Sequence, residues 1–145
     1  MGRALYQFLE ETAEGYMTRA VKTVTRDATM RELGDMFDRD DFNTYPVEED
    51  GQVAGIVTKF DMLKCFAFTP SQMVPRYADL VNRTVSDMMT SEFIYVRPDT
   101  KLTRVLQLMV EHRIRSVPVI GGDSRLAGII AREDILKALA VAAQS

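Results

Sequence analysis

The sequence predicts an α/β (α+β) fold built from one β-α-β-β-α unit used twice. Three observations carry that expectation. Residues 16–49 align with 88–121 at a constant offset of 72, and residues 53–64 align with 126–137 at an offset of 73. Of those 46 aligned positions 12 are identical: Met17, Thr18, Val24, Asp27, Pro46, Val47, Ala54, Gly55, Ile56, Asp61, Leu63 and Lys64. Self-similarity at a fixed spacing marks a duplicated supersecondary unit. In both copies the apolar periodicity then switches between strand-like and helix-like in the same order.

Residues 1–15 read as a short amphipathic helical extension with Leu5, Phe8 and Leu9 on one face, covering the edge of the module. Repeat one spans residues 16–67. It opens on Met17-Thr18 and a short β-like stretch ending at Val24. A helix follows, with Met30, Leu33, Met36 and Phe37 at core spacing and Thr29-Met30-Arg31-Glu32 as a capping box at its start. Tyr45-Pro46-Val47 forms a strand, Glu48-Glu49-Asp50-Gly51 a turn, and residues 53–58 the returning strand, because Asp-Gly between apolar runs favours a hairpin. A second helix is expected to bury Phe60, Leu63 and Phe66. The connector, residues 68–83, carries Pro70 and Pro75 and an expected helical turn at residues 77–81.

Repeat two spans residues 84–145 and repeats the order. A stretch ends at Val96, and a helix carries Leu102, Val105, Leu106 and Met109. Val117-Pro118-Val119 is followed by the Gly121-Gly122-Asp123 turn and a strand over residues 126–130. The last helix is expected to bury Ile135, Leu136 and Leu139. A unit of about 50 residues is marginal alone, so the two copies are expected to share one core as a pseudo-two-fold module with a cleft between them.

Composition narrows the function. Eighteen Lys+Arg against twenty-one Asp+Glu give a net charge of −3, against a nucleic-acid protein held by net positive charge. One Cys, Cys65, and one His, His112, exclude a disulfide framework and a Cys/His zinc site within one chain. No run approaches the ~20 apolar residues of a membrane span. No signal-peptide core opens the chain, and Tyr6 sits where myristoylation needs Ser or Thr. A cytoplasmic protein, with no nucleic acid, membrane or metal, is the expectation. Cys65, Met17, Met30, Met36, Met89 and Met109 are expected in the core, and His112 as a cation at a helix C-terminus. Asp38, Asp40 and Asp41, with the acidic turn at residues 48–50, read as a solvated edge.

The doubled unit resembles the cystathionine-β-synthase-type (CBS) domain pair. The resemblance rests on Thr44-Tyr45-Pro46-Val47 with Ala54-Gly55-Ile56-Val57-Thr58-Lys59-Phe60-Asp61. It rests equally on Ser116-Val117-Pro118-Val119 with Ala127-Gly128-Ile129-Ile130-Ala131-Arg132-Glu133-Asp134. It covers roughly residues 16–142 and implies a stand-alone regulatory module. Such a module holds an adenosyl ligand (AMP, ADP, ATP or a relative) in its cleft, pairs as a homodimer, requires no cofactor and signals to a regulated protein. Ala131 departs from the Ser or Thr of the motif, and Asn43 stands where repeat two has Arg115, so the two sites are not equivalent.

The motif residues suit that ligand. Thr58 ends a strand, and Asp61 lies in the first turn of a helix whose free N–H groups and dipole favour an anion. The Thr58 hydroxyl and the Lys59 charge add to a phosphate site. The two acceptor oxygens of Asp61 match the two hydroxyls of a ribose. Gly55 allows backbone or base to approach, and Val24, Tyr45, Val47 and Ile56 are expected as apolar walls, with Tyr45 stacking on the base. In repeat two the ribose acceptor is Asp134, Arg132 and Arg115 supply positive charge, and Val96 and Val119 are the matching walls. Thr-x-x-Asp is also a helix cap needing no ligand, but Asp134 persists where Ala131 cannot cap. Two other readings compete with a ligand sensor. One is a constitutive dimerisation module without a ligand. The other is a nucleotide hydrolase, for which only Asp61, Asp134 and Glu133 offer a base.

Overall fold

The computed structural model of the chain describes residues 2–40, 42–67 and 82–144. Asp41, the side chain of Leu5 and the helical turn expected at residues 77–81 lie outside the described residues. In chain order the elements are α1 (Gly2–Glu10), α2 (Ala13–Tyr16), α3 (Met30–Asp40), β1 (Thr44–Glu49), β2 (Gln52–Thr58), α4 (Lys59–Lys64), α5 (Val85–Met88), α6 (Leu102–His112), β3 (Ser116–Ile120), β4 (Leu126–Ala131) and α7 (Arg132–Ala143). They form two compact units that cut across the sequence repeats. One unit is Met1–Val21 with Ile94–Ser145, and the other is Lys22–Phe93. Each unit therefore combines the body of one repeat with the opening Met-Thr segment of the other.

In the Lys22–Phe93 unit, Thr29 Oγ1 accepts the Glu32 N–H at 3.2 Å and starts α3. That helix buries Met30, Leu33 and Phe37 on one face. Strands β1 and β2 pair antiparallel with Pro46 opposite Ile56 and one register shift after Val47. Asp50 and Gly51 turn the hairpin with φ of 54° and 80°, the left-handed pair that a two-residue hairpin turn requires. The β-like stretch expected before α3 shrinks to a single parallel bridge, with Val24 N–H on Pro46 O at 3.0 Å and Glu48 N–H on Val24 O at 2.9 Å. The free edge of β2 is taken by Thr90, which exchanges bonds of 3.0 and 2.8 Å with Ile56.

The other unit repeats this arrangement. Pro118 faces Ile129, the register shifts after Val119, and Val96 bridges to Val119. Here the edge of β4 is taken by Thr18, whose N–H and C=O bond Ile129 at 2.8 and 2.9 Å. Helix α6 buries Leu102, Val105 and Met109 as expected, and Leu108 in addition. Phe8 of α1 lies buried in the same core as Ala138 and Ala142 of α7.

The second helix of each repeat corrects the sequence reading. Phe60, Leu63, Phe66, Leu136 and Leu139 face outward, Phe60 and Leu136 being 68% and 65% exposed. The phase is set at the helix start, where the N3 side chains Asp61 and Asp134 turn inward to bond the backbone. Positions one and four further on follow them. Met62 and Cys65 pack against one core, and Ile135 and Ala138 are buried in the other.

Candidate ligand-binding site

The β2–α4 turn is a closed capping box. Thr58 Oγ1 accepts the Asp61 N–H at 3.0 Å, and Asp61 Oδ2 accepts the Thr58 N–H at 2.9 Å. The Asp61 residue is only 6% exposed. Its second oxygen, Oδ1, lies 3.1 Å from Lys64 Nζ, which also sits 5.5 Å above the Phe60 ring. The Lys59 N–H donates to Asn43 O at 3.0 Å. Two of the helix-start N–H groups expected to be free are thus already bonded.

The expected apolar walls divide. Ile56 is half-buried on β2, whereas Val24, Val47 and Tyr45 lie inside the core of this unit. Tyr45 does not present its ring for stacking on a base. The ring packs 4.9 Å from Phe37 and 5.8 Å from Phe42, and the hydroxyl lies 2.8 Å from Asp40 Oδ2 and 2.9 Å from Met36 O. Asp40 also receives Lys22 Nζ at 2.8 Å and Arg39 Nε at 3.2 Å. Lys22, then Arg39 and the Tyr45 hydroxyl, hold the Asp40 carboxyl well below the usual carboxylate range. Burial first, and Asp40 second, push the Tyr45 phenol well above its ordinary value. The acidic stretch around Asp38 and Asp40 is thus partly an ion-paired network. Among the described residues, no three His, Cys, Asp or Glu gather as metal ligands.

Gly55 admits backbone, one of the two approaches expected of it. A Cβ there would stand 2.6 Å from Thr90 O, and one on Gly128 would stand 2.6 Å from Thr18 O. Both glycines admit the backbone of an exchanged opening segment. Thr18 and Thr90 therefore lie beside the motif strands, which the sequence reading missed. Their signal was the Met-Thr identity at the start of both repeats.

The β4–α7 turn is more open. Asp134 Oδ2 accepts the Ala131 N–H at 2.8 Å. Half of the capping box thus survives without the Ser or Thr hydroxyl, and helix capping accounts for one oxygen of Asp134. Among the described residues, Oδ1 of Asp134 has no partner, and no side chain caps the first turn of α7. The Arg132 N–H donates to Arg115 O at 3.0 Å, bringing the two arginines together. Both are exposed, and among the described residues neither forms an ion pair. Val96 and Val119 lie in the core of this unit, as Val24 and Val47 do in the other.

Residues 13–67 and 85–141 each match the family model for the CBS domain. The chain belongs to the CBS domain family. It is 28% identical over 141 residues to the uncharacterized protein MJ1225 of Methanocaldococcus jannaschii, covering 93% of this chain and 50% of that protein. It spans 20% of the homoserine O-acetyltransferase of Methanosarcina acetivorans and 79% of the CBS domain-containing protein YhcV of Bacillus subtilis, at 29% identity to each. Among solved structures, Arabidopsis thaliana CBSX2 in complex with AMP superimposes with a TM-score of 0.78 at 24% identity, over 92% of this chain and 98% of that one. The CBS domain pair of MJ0100, solved with 5′-methylthioadenosine and S-adenosyl-L-methionine, gives 0.73 at 20% identity, over 90% and 97%. These likenesses establish a shared CBS-pair fold. Among the described residues, no helix is long and apolar enough to cross a membrane.

Proposed function

We propose that this CBS pair is a regulatory sensor that binds an adenosyl ligand at its strand–helix turns. The observation that carries the reading is at the β4–α7 turn, where, among the described residues, Asp134 Oδ1 has no partner and Arg132, itself unpaired, is bonded through its backbone to the unpaired Arg115 just before β3. Asp134 accepts the ribose hydroxyls, with Asp61 as its counterpart. Arg115 and Arg132 (and Lys59 in the other unit) meet the phosphate, while Ile129 and Ile56 line the base. Each site draws on both repeats, because Thr18 lies beside Ile129 and Thr90 beside Ile56. The AMP and adenosyl-sulfur complexes of CBSX2 and MJ0100 support the ligand class. Binding is proposed to change the geometry or pairing of the protein and so to reach a regulated partner.

Thermal unfolding with AMP, ADP, ATP, NAD and S-adenosyl-L-methionine tests this. At a hundred times its Kd, a ligand should stabilise the fold by about 2.7 kcal/mol. Asp61→Asn combined with Asp134→Asn should abolish the shift. A shift that survives the double replacement would overturn the site.

A second reading, a dimerisation module without a ligand, is favoured by the outward Phe60 and Leu63 of α4 and Leu136 and Leu139 of α7. Exposed apolar clusters of this kind mark interaction surfaces. Flat unfolding curves across the panel, with a dimer in ultracentrifugation that Leu136→Glu dissociates, would favour that reading.

A further inference from the structure

The two motif turns are equivalent in sequence but not in the state of their carboxylates. Lys64 and Lys137 occupy the same place in the repeat, three residues after Asp61 and Asp134. Lys64 is held at two points, 3.1 Å from Asp61 Oδ1 and 5.5 Å above the Phe60 ring. With Oδ2 already taken by the Thr58 N–H, both oxygens of Asp61 are engaged. Repeat two replaces Phe60 by Glu133, which removes the aromatic seat and gives Lys137 a rival carboxylate one turn back. Among the described residues, Lys137 pairs with neither Glu133 nor Asp134. Thr58 further closes its own helix start by taking the Asp61 N–H, which Ala131 cannot do for Asp134. The basic residues differ in the same direction, with Arg115 and Arg132 in one unit and Asn43 and Lys59 in the other.

Resting on the functional reading above, we infer that Lys64 is a built-in occupant of the Asp61 site, so that the chain binds its first nucleotide at Asp134. A ribose hydroxyl reaching Asp61 has to displace an ammonium already seated on the carboxylate and the Phe60 ring. A ribose hydroxyl reaching Asp134 finds a free acceptor. One charge-assisted hydrogen bond corresponds to roughly ten- to a hundredfold in affinity, and the second arginine widens the gap for a phosphorylated ligand. Ala131 thus leaves the helix start open, where a hydroxyl would close it.

Calorimetric titration with AMP tests the assignment on the full chain. The wild type should take one AMP per chain up to ten times the Kd of that event. Lys64→Met should add a second event within about tenfold of the first, and Asp61→Asn placed on top of Lys64→Met should remove it again. Lys137→Met, which frees nothing, should leave one AMP per chain. Asp134→Asn should weaken the wild-type event at least tenfold. Two equal events in the wild type, or one event that Asp134→Asn leaves intact, would overturn the inference while keeping the nucleotide-binding reading. No heat or melting shift with any member of the ligand panel would overturn that reading, and the inference with it. Circular dichroism of each variant confirms that a lost event is not a lost fold.

Discussion

Replacing Gly128 by Ala tests the exchange of opening segments between repeats. A Cβ at this position would stand 2.6 Å from Thr18 O and 2.8 Å from Met17 Sδ. The methionine side chain can swing aside, but the carbonyl is backbone and accepts the Ile129 N–H at 2.9 Å. Relief therefore requires the 12–18 segment to lift from β4. That strains both Thr18–Ile129 bonds, each contributing about 0.5–1.5 kcal/mol. Overpacking adds about 1–3 kcal/mol. The narrower unfolded ensemble of Ala returns about 0.4–1 kcal/mol, leaving a net loss of about 1–6 kcal/mol. Since 1 kcal/mol moves the Tm of a domain this size by about 2–4 °C, the midpoint should fall by about 2–24 °C. Gly122→Ala is the control, because no atom lies within 4 Å of a Cβ there. Urea and thermal unfolding read both variants. Equal stability of Gly128→Ala and Gly122→Ala would refute the claim that this glycine exists for backbone approach.

Gly34 lies inside α3 with only Met62 Sδ near a prospective Cβ, at 3.8 Å; Gly34→Ala should therefore stabilise the protein by about 0.5–1 kcal/mol in urea unfolding. Ala131→Thr should restore the reciprocal capping bond to the Asp134 N–H, adding about 0.5–1 kcal/mol of stability while weakening AMP binding. The Asp40 carboxyl has a lowered pKa in the folded state, so its contribution is present above pH 4 and is lost as the pH falls below that range. The Tyr45 phenol has a raised pKa, so its contribution is complete below pH 10, its ordinary value, and is lost as the pH rises beyond it. Urea midpoints measured against pH should show both limbs, and Tyr45→Phe should weaken the alkaline one.

The duplicated unit was legible because its cause is local: hairpin turns, helix caps and apolar spacing repeat at one offset. Pro46 and Pro118 fall opposite Ile56 and Ile129 in the same register, as the alignment implies. The burial of the second helices was not legible from apolar residues alone. Capping turned Asp61 and Asp134 inward and carried Phe60 and Leu136 outward, so a polar residue set the phase. Nor does a repeat say which copy its first segment will pair with. The exchange of Met17-Thr18 and Met89-Thr90 is a long-range choice, visible only in the glycines that make room for it. An aromatic residue such as Tyr45 suits a base, yet its hydroxyl has a partner in Asp40 and its ring a place beside Phe37. The carboxylates and arginines of the motif were legible by type. The occupation of Asp61 by Lys64 was not, since Lys137 holds the same place in the second repeat.

The most direct test of a nucleotide-binding CBS pair is the crystal structure of the protein grown with saturating AMP. AMP is expected in the Met1–Val21 and Ile94–Ser145 unit, with its ribose hydroxyls on Asp134 Oδ1 and its phosphate on Arg115 and Arg132. AMP bound away from both Asp134 and Asp61, or absent from the protein altogether, would contradict it.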